Sequence, residues 1–121
     1  MTGQTCPSAP AQPGAILLGL RQADGRIAPL RTAMRIDADF IAAAARHGPP
    51  EARMRFASPC LEGGCTQWTG HSCGVVARVL AEIAPPPATA LPPCLIRATC
   101  RWHAERGGAA CAICDRVVTD A

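Results

Sequence analysis

The sequence predicts a small α+β protein, stapled by metal, with an N-terminal hairpin, short helices and a Cys-rich C-terminal half. Three observations predict it. Apolar residues recur with period two near the front of the chain and with period 3.6 further on. Twelve prolines and eleven glycines in 121 residues cut the chain into short elements. Large core formers are scarce, with two Phe, two Trp and no Tyr. A chain this short with so few of them buries limited area, so a covalent or metal staple is expected.

Residues 1–14, MTGQTCPSAPAQPG, are rich in Pro and polar residues and read as a flexible arm. The run AILLGLRQADGRIAPLRTAMRI reads as a hairpin, with Ile16, Leu18 and Leu20 on one face and Asp24-Gly25 at the turn. Pro29 lacks a backbone donor, which demotes the return strand to an edge position or a short one. Asp37 is the expected N-cap of a short helix, ADFIAAAARH, that Gly48-Pro49-Pro50 stops. An arginine-rich α+β front is expected over 15–58 and a Cys-rich metal-binding half over 59–121, the two forming one compact unit. The boundary falls near Ser58-Pro59 because the first 59 residues hold one cysteine and the next 55 hold seven. In the second half, SCGVVARVLAEIA is the best helix. Val75, Val76, Val79, Leu80 and Ile83 form its apolar stripe, and Arg78 and Glu82 an outward i,i+4 pair. PPPATALPP follows as an extended, polyproline-like connector. A further helix is expected from about Leu95 to Arg106, ending at Gly107-Gly108. A short turn then carries Cys111 and Cys114, and RVVT reads as a terminal strand.

The N-terminus has no basic n-region and no apolar h-region, so it does not read as a secretory signal. No stretch approaches the roughly 18 apolar residues of a membrane span. The expectation is a cytoplasmic protein with reduced thiols, where clustered cysteines are more often metal ligands than disulfides. All twelve basic side chains are arginine, which excludes Schiff-base and P-loop lysine chemistry. The formal charge of +3 counts thiols as neutral. A four-thiolate metal site carries about −2 as a unit, and two would bring the protein to about −1, so the charge gives no support for a nucleic-acid partner. There is no glycine-rich phosphate loop, nucleophile elbow, metalloprotease helix motif or conspicuous carboxylate pair, and no enzymatic activity is assigned.

From Cys60 to Cys114 the spacing is C-x4-C-x7-C-x20-C-x5-C-x10-C-x2-C. Structural zinc prefers two tight knuckles around one tetrahedral ion, and only Cys111 and Cys114 have that spacing. Zn²⁺ completed by Cys100 and His103 is the alternative, with a short seven-residue loop. An iron–sulfur cluster holds its ligand sulfurs further apart and suits the irregular spacings better. Cys94, Cys100, Cys111 and Cys114 are the first grouping expected to bind a [4Fe–4S] cluster. Arg97 and Arg101 flank them, as either charge compensation or solvated side chains, and Trp102 is either a shield from water or plain core. Cys60, Cys65 and Cys73 form a second set of metal-ligand candidates, with Cys73 opening the strongest helix. Its fourth ligand is left open: His71, Cys6, a downstream cysteine, or a substrate on an exposed iron. One cluster drawn from both sets, with the other cysteines buried as small hydrophobes, also fits the count, as do redox-active thiols without metal. His103 sits one turn after Cys100, where it could be a ligand or a proton donor beside one, and His47 reads as an ordinary helix-end histidine.

The stretch TCRWHAERGGAACAICDRVVT resembles a run in small bacterial proteins of uncharacterised function, in which a C-R-W triplet is followed by glycine and a C-x2-C pair. The resemblance covers residues 94–119 and implies that Cys100, Cys111 and Cys114 act together. Those relatives are expected to carry proline after the last cysteine, where this chain has Asp115. It implies no activity. The function expected from the residues is iron–sulfur binding, with one or two clusters, for electron transfer to or redox sensing for a protein partner. A zinc-stapled interaction module and an iron–sulfur enzyme with an open iron are the alternatives. Seven arginines against four acids between residues 21 and 55 mark the front either as the docking surface or as a merely solvated face.

Overall fold

The computed structural model describes residues 4–83, 91 and 94–119. Its centre is a four-stranded antiparallel sheet of β1 (Thr5–Ala9), β2 (Ile16–Arg21), β3 (Ile27–Pro29) and β4 (Met54–Pro59), in the order β1-β4-β2-β3. The helices are α1 (Ala38–Ala45), α2 (Gly74–Glu82), α3 (Arg101–Arg106) and α4 (Gly108–Cys114). The architecture is α+β.

The predicted hairpin is present as β2 and β3, paired from Gly19–Pro29 to Arg21–Ile27, with Gly25 at a φ of 86° in the turn. Pro29 ends the edge strand β3, where a missing N–H costs no ladder bond. Gly19 is obligatory: a Cβ there would stand 2.5 Å from the Ala28 carbonyl oxygen. Asp37 caps α1 as expected, its carboxylate accepting from the Phe40 N–H at 2.8 Å.

Four expectations are corrected. The arm is not free over its length: Thr5–Ala9 form β1, hydrogen-bonded along the edge of β4. The segment Met54–Pro59, which carried no predicted element, is an interior strand of the sheet, between β1 and β2. Cys111 and Cys114 lie on a helix, not a turn, and the last described residues form no strand. The helix expected from Leu95 begins only at Arg101, after a series of turns. The proline-rich connector lies outside the described residues except for Leu91.

Both faces of the sheet are covered, and the predicted stripe holds for Ile16 and Leu18 but not for Leu20. Ile16 and Leu18 point to the face that packs against α2, α3 and α4, in a core with Ala57, Val76, Ile96, Cys100, Trp102 and Ala110. Leu17 and Phe56 point the other way, into a second core with Ala15, Ile36 and residues of α1. Leu20 is exposed. On α2, Val76 is buried and Val75 and Leu80 pack beside it, whereas Arg78 donates to Gln67 Oε1 at 2.7 Å instead of pairing with Glu82. No helix among the described residues is long and apolar enough to cross a membrane.

Candidate metal centre

Alternation along β4 puts Arg55 on the same side as Ala57, facing the helices. Its side chain is 2% exposed. Nε and Nη2 donate to the Pro7 carbonyl at 2.9 and 2.7 Å, and Nη1 donates to the carbonyls of Cys114 and Val117 at 2.7 and 2.8 Å. Nη2 also lies 3.3 Å from Cys114 Sγ, and the guanidinium stands over Trp102, 5.4 Å from the ring centre. Among the described residues no carboxylate pairs with it. A buried cation held by neutral groups is expensive, and it favours an anion within reach.

That reach contains a cavity of about 110 Å³ between the sheet and α3–α4. Cys94, Cys100, Cys111 and Cys114 all line it, together with Arg55, Arg97, Trp102 and His103. Three of the thiols arrive by local rules. Cys100 is the N-cap of α3, and Gly107, at a φ of 64°, turns the chain directly into α4. On α4, Cys111 and Cys114 are one turn apart and share a face. The Ile27 N–H donates to the Asp115 carbonyl at 2.7 Å, pinning the end of α4 to β3. His103 Nδ1 lies 3.5 Å from Cys111 Sγ. Burial pushes the Cys100 thiol up to about 11. The N–H groups of Trp102 and His103 pull the other way, and the neighbouring Cys114 and Cys94 add to the rise.

The second set of predicted ligands lies elsewhere, near β1. Cys6 stands on that strand opposite Ser58 of β4, and the Cys60 N–H donates to the Gln4 carbonyl at 2.8 Å. Burial raises the Cys6 thiol against the opposing Ser8 N–H, and Cys60, Cys73 and Cys65 are near enough to raise it further. The structure therefore brings together the first predicted quartet around one cavity, and it gathers Cys60, Cys65 and Cys73 with Cys6. His71 is exposed. All eight cysteines are free thiols. Among the described residues no three His, Cys, Asp or Glu side chains meet closely enough to grip a single metal ion.

Arg101 is placed differently from its expected role. It flanks the second set, lying against Cys60 and joined to Glu62 at 2.7 Å. Burial opposes its charge, but Cys60 and Glu62 outweigh that and raise it further. Sequence reasoning missed Arg55, which it counted with the front's surface charges. The available signal was an arginine set between Met54 and Phe56 in a strand-like run. No model of a known protein family, no curated protein and no solved structure is similar to this chain.

Proposed function

We propose that the protein is an iron–sulfur protein in which Cys94, Cys100, Cys111 and Cys114 hold a [4Fe–4S] cluster and exchange single electrons with a protein partner. The observation that carries this is the buried Arg55, which no carboxylate pairs among the described residues, facing a cavity lined by four thiols. Thiolates bound to such a cluster form an anionic unit, which supplies the missing counter-charge. The four thiols line one cavity, and an iron–sulfur cluster takes ligand sulfurs spread around it.

When bound, the cluster would supply one-electron redox chemistry. The chain's own groups bind, shield and tune it. Trp102, Leu18 and Ala110 supply an apolar inner wall that shields it from water. Arg55 donates toward Cys114 sulfur, and His103 stands beside Cys111, so both ends of α4's ligand pair have a hydrogen-bonding neighbour. Cys94 is exposed, which makes its side of the cavity the shortest route to a partner. Of the seven front arginines, Arg21, Arg26, Arg31, Arg35 and Arg46 are exposed and available to an acidic partner.

The contact between His103 and Cys111 favours a second reading, a zinc module closed by Cys100, His103, Cys111 and Cys114. Anaerobic purification with iron, acid-labile sulfide and zinc counts, plus a visible spectrum, separates the two. Brown protein with iron and sulfide in equal amounts supports the proposal. Colourless protein holding zinc without sulfide overturns it.

A further inference from the structure

The second group of thiols is assembled by four separate pieces of chain that the fold forces together. β1 pairs antiparallel with β4, which sets Cys6 beside the end of β4 and the start of the loop carrying Cys60. A 3-10 turn over Glu62–Gly64 delivers Cys65, whose carbonyl accepts from the Trp68 N–H at 3.1 Å. The chain then doubles back. Trp68 bridges antiparallel to Cys73, and the Gly74 N–H donates to the Gln67 carbonyl at 2.8 Å. A Cβ on Gly74 would stand 2.6 Å from that carbonyl oxygen, so this close return requires glycine. Cys65 and Cys73 therefore flank Trp68, and Arg101 stacks on the same ring at 5.1 Å while lying against Cys60.

Donors to sulfur are already present. The Gln67 N–H lies 3.4 Å from Cys65 Sγ. Arg101 Nε is buried with no acceptor among the described residues, a condition that is costly unless something anionic takes the hydrogen bond. None of the four cysteines is fully exposed. The first proposed cluster uses none of them, nor does any disulfide.

We propose that Cys6, Cys60, Cys65 and Cys73 form a second, closed four-thiolate site that binds its own iron–sulfur cluster. The kind of group rests on the reading of the first quartet, whereas the place rests on the strand pairing, the folded-back loop and Arg101, which joins the two by stacking on Trp68 beside Cys60. Cys6 supplies the fourth thiol that the Cys60/Cys65/Cys73 set lacks, so no iron is left open for a substrate. The two sites adjoin. Thr5, next to Cys6, bridges to Cys100 of the first quartet, and the Thr5 N–H donates to the Thr99 carbonyl at 2.6 Å. Cys100 and Arg101, consecutive residues, each serve one site.

The test is anaerobic reconstitution of the full chain with ferrous iron and sulfide, followed by iron and sulfide counts and by iodoacetamide labelling mapped by peptide mass spectrometry. Two four-iron clusters give about eight iron and eight sulfide per chain. Cys6→Ala and Cys111→Ala are each expected to retain about half, and the double variant almost none. In the loaded wild type, Cys6, Cys60, Cys65 and Cys73 should resist labelling and react once iron is stripped, a result independent of whether any variant folds. About four iron with these four labelled and the other quartet protected would overturn the second site and leave the first standing. The reverse protection pattern would overturn the first and support the second. Full iron content in Cys6→Ala would also overturn the site as drawn.

Discussion

Two arginines face the two cysteine quartets, and each stacks on a tryptophan and approaches one cysteine sulfur. Arg55 does so over Trp102 beside Cys114, and Arg101 over Trp68 beside Cys60. Their remaining partners differ. Arg55 is fully enclosed and held by three backbone carbonyls, while Arg101 is paired with Glu62 at 2.7 Å and approaches Glu105 at 3.9 Å. Among the described residues, then, no carboxylate pairs with Arg55, whereas two lie at Arg101. The same cation–aromatic–thiol unit thus meets an anion with its whole charge in one place and with a charge shared with carboxylates in the other.

Arg55→Leu and Arg101→Leu are the sharpest way to break that contrast. Losing Arg55 strips the donors from the Pro7, Cys114 and Val117 carbonyls, at about 1–3 kcal/mol for each group left unsatisfied. A total loss of about 3–5 kcal/mol is expected in urea denaturation of the metal-free protein. Arg101→Leu should lose only about 1 kcal/mol, since Glu62 can turn to water and Glu105 keeps the Cys73 N–H. Equal losses would mean that the two arginines are not used differently.

Gly74→Ala and Gly19→Ala come next, each expected to lose about 1–3 kcal/mol by forcing a Cβ into a carbonyl oxygen. Their consequences should diverge. Gly74 closes the loop between Cys65 and Cys73, so its variant should lose iron from the second quartet and keep it in the first. Gly19 lies in the β2–β3 pair, and its variant should be less stable without favouring either site. Site-resolved thiol labelling distinguishes these outcomes.

The contrast between the quartets was legible in the sequence for one and not for the other, for a physical reason. Cys94, Cys100, Cys111 and Cys114 fall within 21 residues, and short-range turns are enough to bring them to one wall. Cys6 is 54 positions from Cys60, and only the pairing of β1 with β4 joins them. Strand pairing across such a distance depends on register, which a Pro-rich segment such as TCPSA does not advertise. β4 was missed for a related reason: Arg55 breaks its apolar run, and its burial depends on partners drawn from β1 and α4. The hairpin and α1 were legible because Asp24-Gly25 and Asp37 act locally. The C-terminal strand was misread because RVVT has strand propensity, yet Val117 is used as a plug in the helix-side core.

Both quartets contain a thiol whose proton is held by burial, and this gives a pH signature in metal-free protein. For Cys100 the folded value is about 11 against an ordinary 9.0. Below pH 9 the folded and unfolded chains both keep this proton, so the group leaves stability unchanged. Between pH 9 and about 11 the unfolded chain releases it first, and stability falls as pH rises, levelling off above that range. Cys100→Ala should flatten this decline in denaturation curves measured from pH 8 to 11. Cys6→Ala should remove a further part, because Cys6 is raised in the same direction. A decline unchanged in both variants would show that these thiols are not protected by the fold.

The smallest expected change in stability belongs to Glu62→Gln, and it tests the charge difference directly. Glu62 is 56% exposed, so its ion pair with Arg101 is worth less than about 1 kcal/mol to the fold. Its electrostatic effect on the second quartet should nevertheless be measurable. With Glu62 neutral, Arg101 turns more of its charge toward Cys60, and an added electron at that site is better compensated. Potentials of iron–sulfur sites rise as local negative charge is removed or as donors to sulfur are added. In redox titrations the wild type should show two waves, with the higher potential at the Arg55 site. Glu62→Gln should move the lower wave upward and leave the higher one in place. If the higher wave moves instead, the carboxylates at Arg101 are not what separates the two sites.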